Sequence, residues 1–227
     1  MNTLHLIPMD YTFPTNPSLI PALLHLIWVG SNPRPDYVDR YVEQWNSLMP
    51  TWSVRLWTNE DLTESEFPAD ILTKIHACTK GAQKADIMRY FIMYKYGGIY
   101  LDTDIVPHRS LEPIRHLGTP VVLCHDLPVT WPYISIGFFA SAPYHPLFNY
   151  TCQLCRGAMI NTGDLCMTTG PRVLGEAVWR VKPTEPYTLL HCYYFYRNRV
   201  GDKQLDLSLR TEDFDHRFGT HFYARGW

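Results

Sequence analysis

The sequence predicts an α/β fold: a mostly parallel, Rossmann-like central sheet flanked by helices. Three observations lead there. Short apolar runs alternate with segments of helical periodicity along the chain, the pattern of strand–helix–strand units. The first run, Leu23 to Val29, is nearly continuous in apolar residues, as a strand buried on both faces must be. The chain has 227 residues, enough for one sizeable core. We therefore expect one domain over residues 1–227, with residues 1–21 as an extended, proline-punctuated lead-in and residues 214–227 as a C-terminal tail.

Gly30 closes the first strand, and Pro33 and Pro35 mark a loop. Residues 36–48 then carry Tyr37, Val38, Tyr41, Val42, Trp45 and Leu48 near helical spacing, and Pro50 ends that helix. Residues 53–57 read as a second strand. Asn59 is placed to cap a short helix, and residues 68–78 form another. A longer helix over residues 80–96 stops at Gly97-Gly98, because glycine readily takes the left-handed conformation of a helix C-terminus. Residues 99–101 form a very short strand, with Asp102-Thr103-Asp104 at its carboxyl end. Later strands are expected at 120–124, 134–141 and 187–192, and later helices at 145–159 and 171–181.

Bulk composition excludes more than it selects. The net charge is −2, so neither a nucleic acid nor an anionic membrane surface is an expected partner. A phosphate-bearing ligand would have to be met by local charges, a metal or backbone donors. The six cysteines read as reduced, mostly buried thiols; Cys152 and Cys155 form a CxxC inside a helix with no second pair to complete a zinc site. Residues 1–21 have no positive leading segment and are broken by Pro8, Pro14, Pro17 and Pro21. No apolar run is long enough to span a bilayer, and a cytoplasmic enzyme of viral or bacterial type is expected.

Chemistry concentrates in four places. Asp102 and Asp104 follow an apolar strand and a double glycine, at the strand end where open α/β sheets bind ligands. Where the chain turns, both carboxylates can approach one hard cation, which needs few protein ligands when substrate phosphates fill the remaining positions. Asp86 and Arg89 are i,i+3 neighbours on an otherwise apolar helix, with Gln83 continuing the polar stripe. A charged pair there must be satisfied, by an internal salt bridge or by the hydroxyls of a polar ligand. Trp28 ends the first strand, where a planar base could lie over it or where it packs in the core. The closing segment His221 to Trp227 offers an imidazole and an indole N–H, for a metal shell and a phosphate oxygen, or as a docking tail.

Taken together, residues 23–35, 54–61, 82–104, 141–148, 167–174 and 221–227 resemble the DXD-containing sugar transferases typified by yeast initiating α-1,6-mannosyltransferase, which include bacterial capsule and viral enzymes. The resemblance implies a GT-A fold, a Mn²⁺ or Mg²⁺ cofactor, a UDP- or GDP-linked sugar donor, a glycan or other hydroxyl acceptor, and retention of anomeric configuration. It implies that Trp28 and Val29 meet the donor, with Trp28 stacking on the base. Asp86 and Arg89 would contact the donor sugar, and Asp102 the ribose and, through water, the metal. Asp104 would ligate the metal directly, with His221 as a further ligand and Trp227 at the diphosphate. In this assignment Asp86, Arg89, Asp102 and Asp104 form the catalytic set. The chain departs from the family in three places: Ala85 precedes Asp86 where serine is common, the strand over residues 134–139 lacks a frequent asparagine, and the tail ends Arg225-Gly226-Trp227. Asp126 is a further candidate on the acceptor side. A metal-dependent phosphohydrolase using the same two carboxylates and a non-catalytic nucleotide-sugar or carbohydrate-binding module are the rival readings.

Overall fold

The computed structural model describes residues 4–7, 11–125, 134–181, 187–196 and 216–224. In chain order the elements are β1 (Leu4–Ile7), β2 (Leu23–Ile27), α1 (Asp36–Leu48), β3 (Ser53–Trp57), α2 (Ala69–Ala77), α3 (Gly81–Tyr96), β4 (Gly98–Leu101), β5 (Ile105–Pro107), α4 (Glu112–Arg115), β6 (Val121–His125), β7 (Ile134–Ser141), α5 (Pro146–Gly157), α6 (Leu165–Thr168), α7 (Pro171–Arg180), β8 (Tyr187–Leu190) and β9 (Gly219–His221). One-turn 3₁₀ helices cover Asn59–Asp61 and Cys192–Tyr194.

Seven strands form one sheet in the order β1-β8-β6-β7-β4-β2-β3. All pair in parallel except β7, which runs antiparallel between β6 and β4. The mostly parallel α/β expectation holds. The sheet separates two apolar layers. On one face Tyr90, Phe139 and Phe148 pack with α3, α5 and α7; on the other Trp45 of α1 packs with Leu101, Phe138 and Phe218. Burying an aliphatic or aromatic side chain of this kind contributes roughly 1.5–3 kcal/mol, and β4, which leads into the acids, is anchored by Ile99, Tyr100 and Leu101.

Two features of this frame position the site. Gly97 and Gly98 both have positive φ, 62° and 89°. A Cβ at Gly98 would sit 2.6 Å from the carbonyl oxygen of Leu23, so β4 can lie against β2 only with glycine there. His25 of β2 donates from Nε2 to the Gly97 carbonyl at 3.0 Å and accepts the Trp57 indole N–H at Nδ1. Burial holds this ring neutral by lowering its pKa to about 4. The helix-to-strand corner is thus pinned, and Asp102 emerges at a defined point on the sheet edge. The second feature is the ladder of β5 with β9, which pairs Ile105 with His221.

The sequence reading needs correction in detail. Within the extended lead-in, Leu4–Ile7 forms an edge strand in register with Tyr187–Leu190, a pairing the sequence reading did not give. Thr58, not Asn59, caps the short helix. Its side chain accepts the Glu60 N–H while Asp61 reaches back to the Thr58 N–H. Asn59 instead bridges to Gly30, accepting its N–H and donating to its carbonyl at 3.0 and 2.9 Å. The tail, which lacks periodicity, contains β9. β5, α4 and α6 are too short to leave a periodic signal.

Candidate functional site

The site begins where β4 ends. The Asp102 N–H donates to the Gly137 carbonyl at 2.9 Å, continuing the β4–β7 ladder, and the chain then turns: the Ile105 N–H donates to the Asp102 carbonyl. This turn directs both acids toward β9. His221 Nε2 lies 3.4 Å from Asp102 Oδ2 and 3.2 Å from Asp104 Oδ1. The three ligand-competent atoms all lie within 4.8 Å of one another.

The two carboxylates are held differently. Asp102 Oδ1 accepts from the Tyr100 hydroxyl at 2.7 Å and from Arg89 Nη1 at 3.2 Å, which leaves Oδ2 facing the site. Burial pushes Asp102 up, but the Arg89 guanidinium and the bonds from His221 and Tyr100 outweigh it and hold the group below the ordinary carboxylate range. Asp104 Oδ2 accepts the Ala224 N–H at 2.8 Å, and Oδ1 faces the site. Its burial, opposed by His221 and reinforced by the charge of Asp102, pushes it up to about 6. A half-buried and a buried carboxylate, mutually repelling and with one oxygen each turned to a common point, fit a hard divalent cation. The fit of His221 is conditional. Its Nδ1 accepts the Tyr223 N–H at 3.2 Å, so the neutral ring carries its proton on Nε2, aimed at the acids. To ligate through Nε2 it must move that proton to Nδ1, and the Tyr223 N–H must leave.

Arg89 joins this acidic turn to α3. It is 4% exposed, lies over the Tyr100 ring, and donates from Nη1 to the Ile136 carbonyl at 2.8 Å and from Nε to the Ala85 carbonyl. Its Nη2 is 3.0 Å from Asp86 Oδ1, and Asp86 Oδ2 accepts from the Thr169 hydroxyl at 3.0 Å. The salt bridge expected for a charged pair on an apolar helix is present, and it is part of a longer polar line running Asp86–Arg89–Asp102–His221–Asp104. Burial nevertheless raises Asp86 to about 6 against the pull of Arg89 and Thr169.

Trp28 and Val29 lie just beyond the carboxyl end of β2, the neighbour of β4. Both are buried, and the Trp28 indole N–H donates to the Asn32 carbonyl at 3.3 Å. Trp227 and Asp126 lie outside the described residues. Several participants escaped the sequence reading. Tyr100 could have been found, because it stands two residues before Asp102 on the same strand face. Thr169, Tyr196 and Gly137 could not. A Cβ on Gly137 would come within 2.8 Å of both Asp102 Oδ2 and the Tyr196 hydroxyl, so the missing side chain leaves room for the acid. Tyr37 and Tyr41 of α1 pack around Phe222, and the charge of Asp104 raises both phenols. Burial is the larger cause of both shifts.

A second cluster, His125, His191 and Cys192, also brings its ligand-competent atoms within 4.8 Å. Here the Cys192 N–H donates to His125 Nε2 and the Tyr193 N–H to His191 Nδ1, each at 3.3 Å. These bonds place the positive end of a 3₁₀ turn against the imidazole lone pairs that a cation would need.

Residues 35–118 match the family model described as the glycosyltransferase sugar-binding region containing the DXD motif. Over this region, which holds Asp86, Arg89, Asp102 and Asp104, the chain is similar to the DXD-containing glycosyltransferases. Inositol phosphoceramide mannosyltransferase 3 of Schizosaccharomyces pombe is 36% identical over 100 residues, 43% of this chain and 28% of that protein. The chain therefore matches about a quarter of that relative's length. An uncharacterized glycosyltransferase of Acanthamoeba polyphaga mimivirus is 26% identical over 82% of this chain and 76% of its own. Among solved structures, PaToxG glycosyltransferase superposes with a TM-score of 0.57 at 15% identity, covering 74% of this chain and 70% of that one, a likeness of fold. The fold is of the GT-A type. Among the described residues no helix is long and apolar enough to cross a membrane.

Proposed function

We propose that this chain transfers a sugar from a nucleoside-diphosphate sugar to a hydroxyl acceptor, with retention of anomeric configuration. The observation that carries this reading is the convergence of Asp102, Asp104 and His221 at the carboxyl end of β4, tied through Arg89 to Asp86. Asp104 and Asp102 would hold Mn²⁺ or Mg²⁺, with His221 joining them once its Nδ1 is released from Tyr223. Such an ion, when bound, supplies Lewis-acid stabilisation of the negative charge that grows on the leaving diphosphate.

This chain's own residues do the rest. Arg89 keeps Asp102 ionised and fixes which of its oxygens faces the ligand. Tyr100 locks the same carboxylate from the other side. Asp86 and Arg89 present an acceptor and donors side by side, the pairing that recognises a sugar hydroxyl. Trp28 and Val29, at the neighbouring strand end, mark the base side, and Trp227 belongs at the diphosphate. The bond from the anomeric carbon to the diphosphate oxygen breaks, the acceptor oxygen bonds to that carbon from the same face, and the acceptor's proton passes to the departing diphosphate. The mannosyltransferase relative makes a mannosyl donor the first to test.

A thermal-shift series tests the reading. A nucleoside diphosphate with Mn²⁺ should raise the melting temperature where neither does so alone, since a ligand of the native state stabilises it. Turnover of GDP- or UDP-linked hexoses should then require an acceptor. Release of phosphate or of free sugar, with no dependence on an acceptor, would favour a phosphohydrolase. Binding without turnover would favour a binding module.

A further inference from the structure

The polar line through the site does not stop at Asp86. One turn earlier on α3, Gln83 is fully buried, and its Oε1 accepts the Asn161 N–H at 3.0 Å. That bond settles the orientation of the amide, because only the oxygen can accept. The Nε2 is therefore a buried double donor, and among the described residues no acceptor meets it. The neighbour of Asn161, Thr162, has a buried hydroxyl that is likewise without a partner among the described residues. Buried polar atoms are nearly always satisfied, by protein or by something bound. Gln83 lies on the helix face that carries Asp86, and its orphan and that of Thr162, the residue after its bonded partner Asn161, are what a ligand hydroxyl would complete.

The surroundings support a ligand over a packing fault. The segment from Asn161 to Gly170 lies along this face and is tied down at both ends. Asn161 also donates to the Ala77 carbonyl and accepts from the Thr79 N–H. Thr169 donates to Asp86, and the Tyr90 hydroxyl donates to the Gly170 carbonyl. The same short segment thus bonds Gln83 through the Asn161 N–H, next to Thr162, and Asp86 through the Thr169 hydroxyl. Residues three apart on a helix are separated by about 4.5 Å along its axis, within the span of one hexose ring.

We propose that Gln83 and Thr162 extend the sugar pocket and select the donor by hydrogen-bonding a hydroxyl beyond the one met by Asp86 and Arg89. This inference rests on the transferase reading given above. In it, Gln83 Nε2 donates to the sugar oxygen, and the Thr162 hydroxyl can donate to it or accept from it.

The test uses the full chain, the nucleotide-linked hexose it turns over best, and the single-deoxy analogues of that hexose. Gln83→Leu should raise the donor KM about 3- to 10-fold, the factor one hydrogen bond is worth, and leave the affinity for the sugar-free nucleoside diphosphate unchanged. One deoxy analogue should cost wild type the same factor and cost the Gln83→Leu variant nothing further. Thr162→Val, which is close in shape and keeps the fold, should act in the same direction and on the same analogue, so the proposal stands or falls even where Gln83→Leu folds poorly. An unchanged donor KM in both variants would overturn it and assign the two atoms to a structural water. So would a loss of nucleoside diphosphate affinity in parallel with the loss for the sugar. If wild type binds no nucleotide-linked sugar at all, the parent reading fails and this inference falls with it. If wild type turns over but both variants match it, only this inference fails.

Discussion

Two clusters on the same edge of the sheet contain histidine in an identical local arrangement, yet only one suits a cation. His221 and His191 each accept, at Nδ1, the backbone N–H two residues ahead. Around His221 the remaining ring nitrogen faces two carboxylates, one held ionised and the other pushed up to about 6, burial chief among the causes of that rise. Around His191 stand His125, itself accepting the Cys192 N–H, and a buried thiol. Ligand-competent residue types are present in both. What differs is charge and the direction in which backbone dipoles point. A cation site needs lone pairs turned inward and negative charge short of neutralisation; the β6–β8 end offers N–H groups turned inward instead.

That contrast can be broken by substitution. The largest effect is expected for Asp104→Ala, which should lower transfer by about 10³-fold, as removal of a principal electrostatic support of the reaction does. Metal analysis of the purified variant should show the bound divalent ion lost while the circular dichroism spectrum is kept. Excess chelator on wild type should abolish transfer, and Mn²⁺ should restore it. Full activity in either case would remove the distinction between the clusters.

Next is Arg89→Met, which leaves the Asp86 carboxylate buried without its partner. Breaking a buried ion pair from one side costs about 3–5 kcal/mol, to be read in urea unfolding, and Asp86→Leu in the same chain should recover part of it. His191→Ala should cost only about 1 kcal/mol, the worth of a lost N-terminal cap, with metal content unchanged. If that variant lost the metal, the second cluster would have to be reconsidered as the true site. A further effect concerns pH. Burial raises Asp86 from 3.8 to about 6, so its protonated form favours the fold. Its contribution is fully present below about pH 4 and is lost as pH rises through 6. Asp86→Asn should flatten the urea stability profile across that interval.

The elements that flank the site were largely legible in the sequence. The run from Leu23 to Val29, the helix stopped by Gly97-Gly98 and the Asp86–Arg89 pair were readable because each carries a local signal: continuous apolarity, a glycine stop, a charged pair on an apolar helix. β1 left no such signal. Its four residues are followed by prolines, and only pairing with Tyr187–Leu190, far along the chain, makes them a strand. The cap at Thr58 was misplaced by one residue, because Thr58 and Asn59 are both good caps and Asn59 is drawn away to Gly30.

The sequence by itself determined the class of the fold, the acidic turn at the end of β4, and the presence on α3 of a charged pair that had to be satisfied. These follow from periodicity, from glycine's backbone freedom and from the cost of burying charge, all local properties. Tertiary structure alone decided which groups meet. It brought His221 to Asp102 and Asp104 through the ladder of β5 with β9, a contact spanning more than a hundred residues. It split the two acids by giving Asp102 to Arg89 and Tyr100 and Asp104 to the Ala224 N–H. It closed the cluster at His125 by turning backbone donors onto its imidazoles. Each outcome depends on the direction of a lone pair or an N–H in space, and such directions are set by packing between elements distant in the chain.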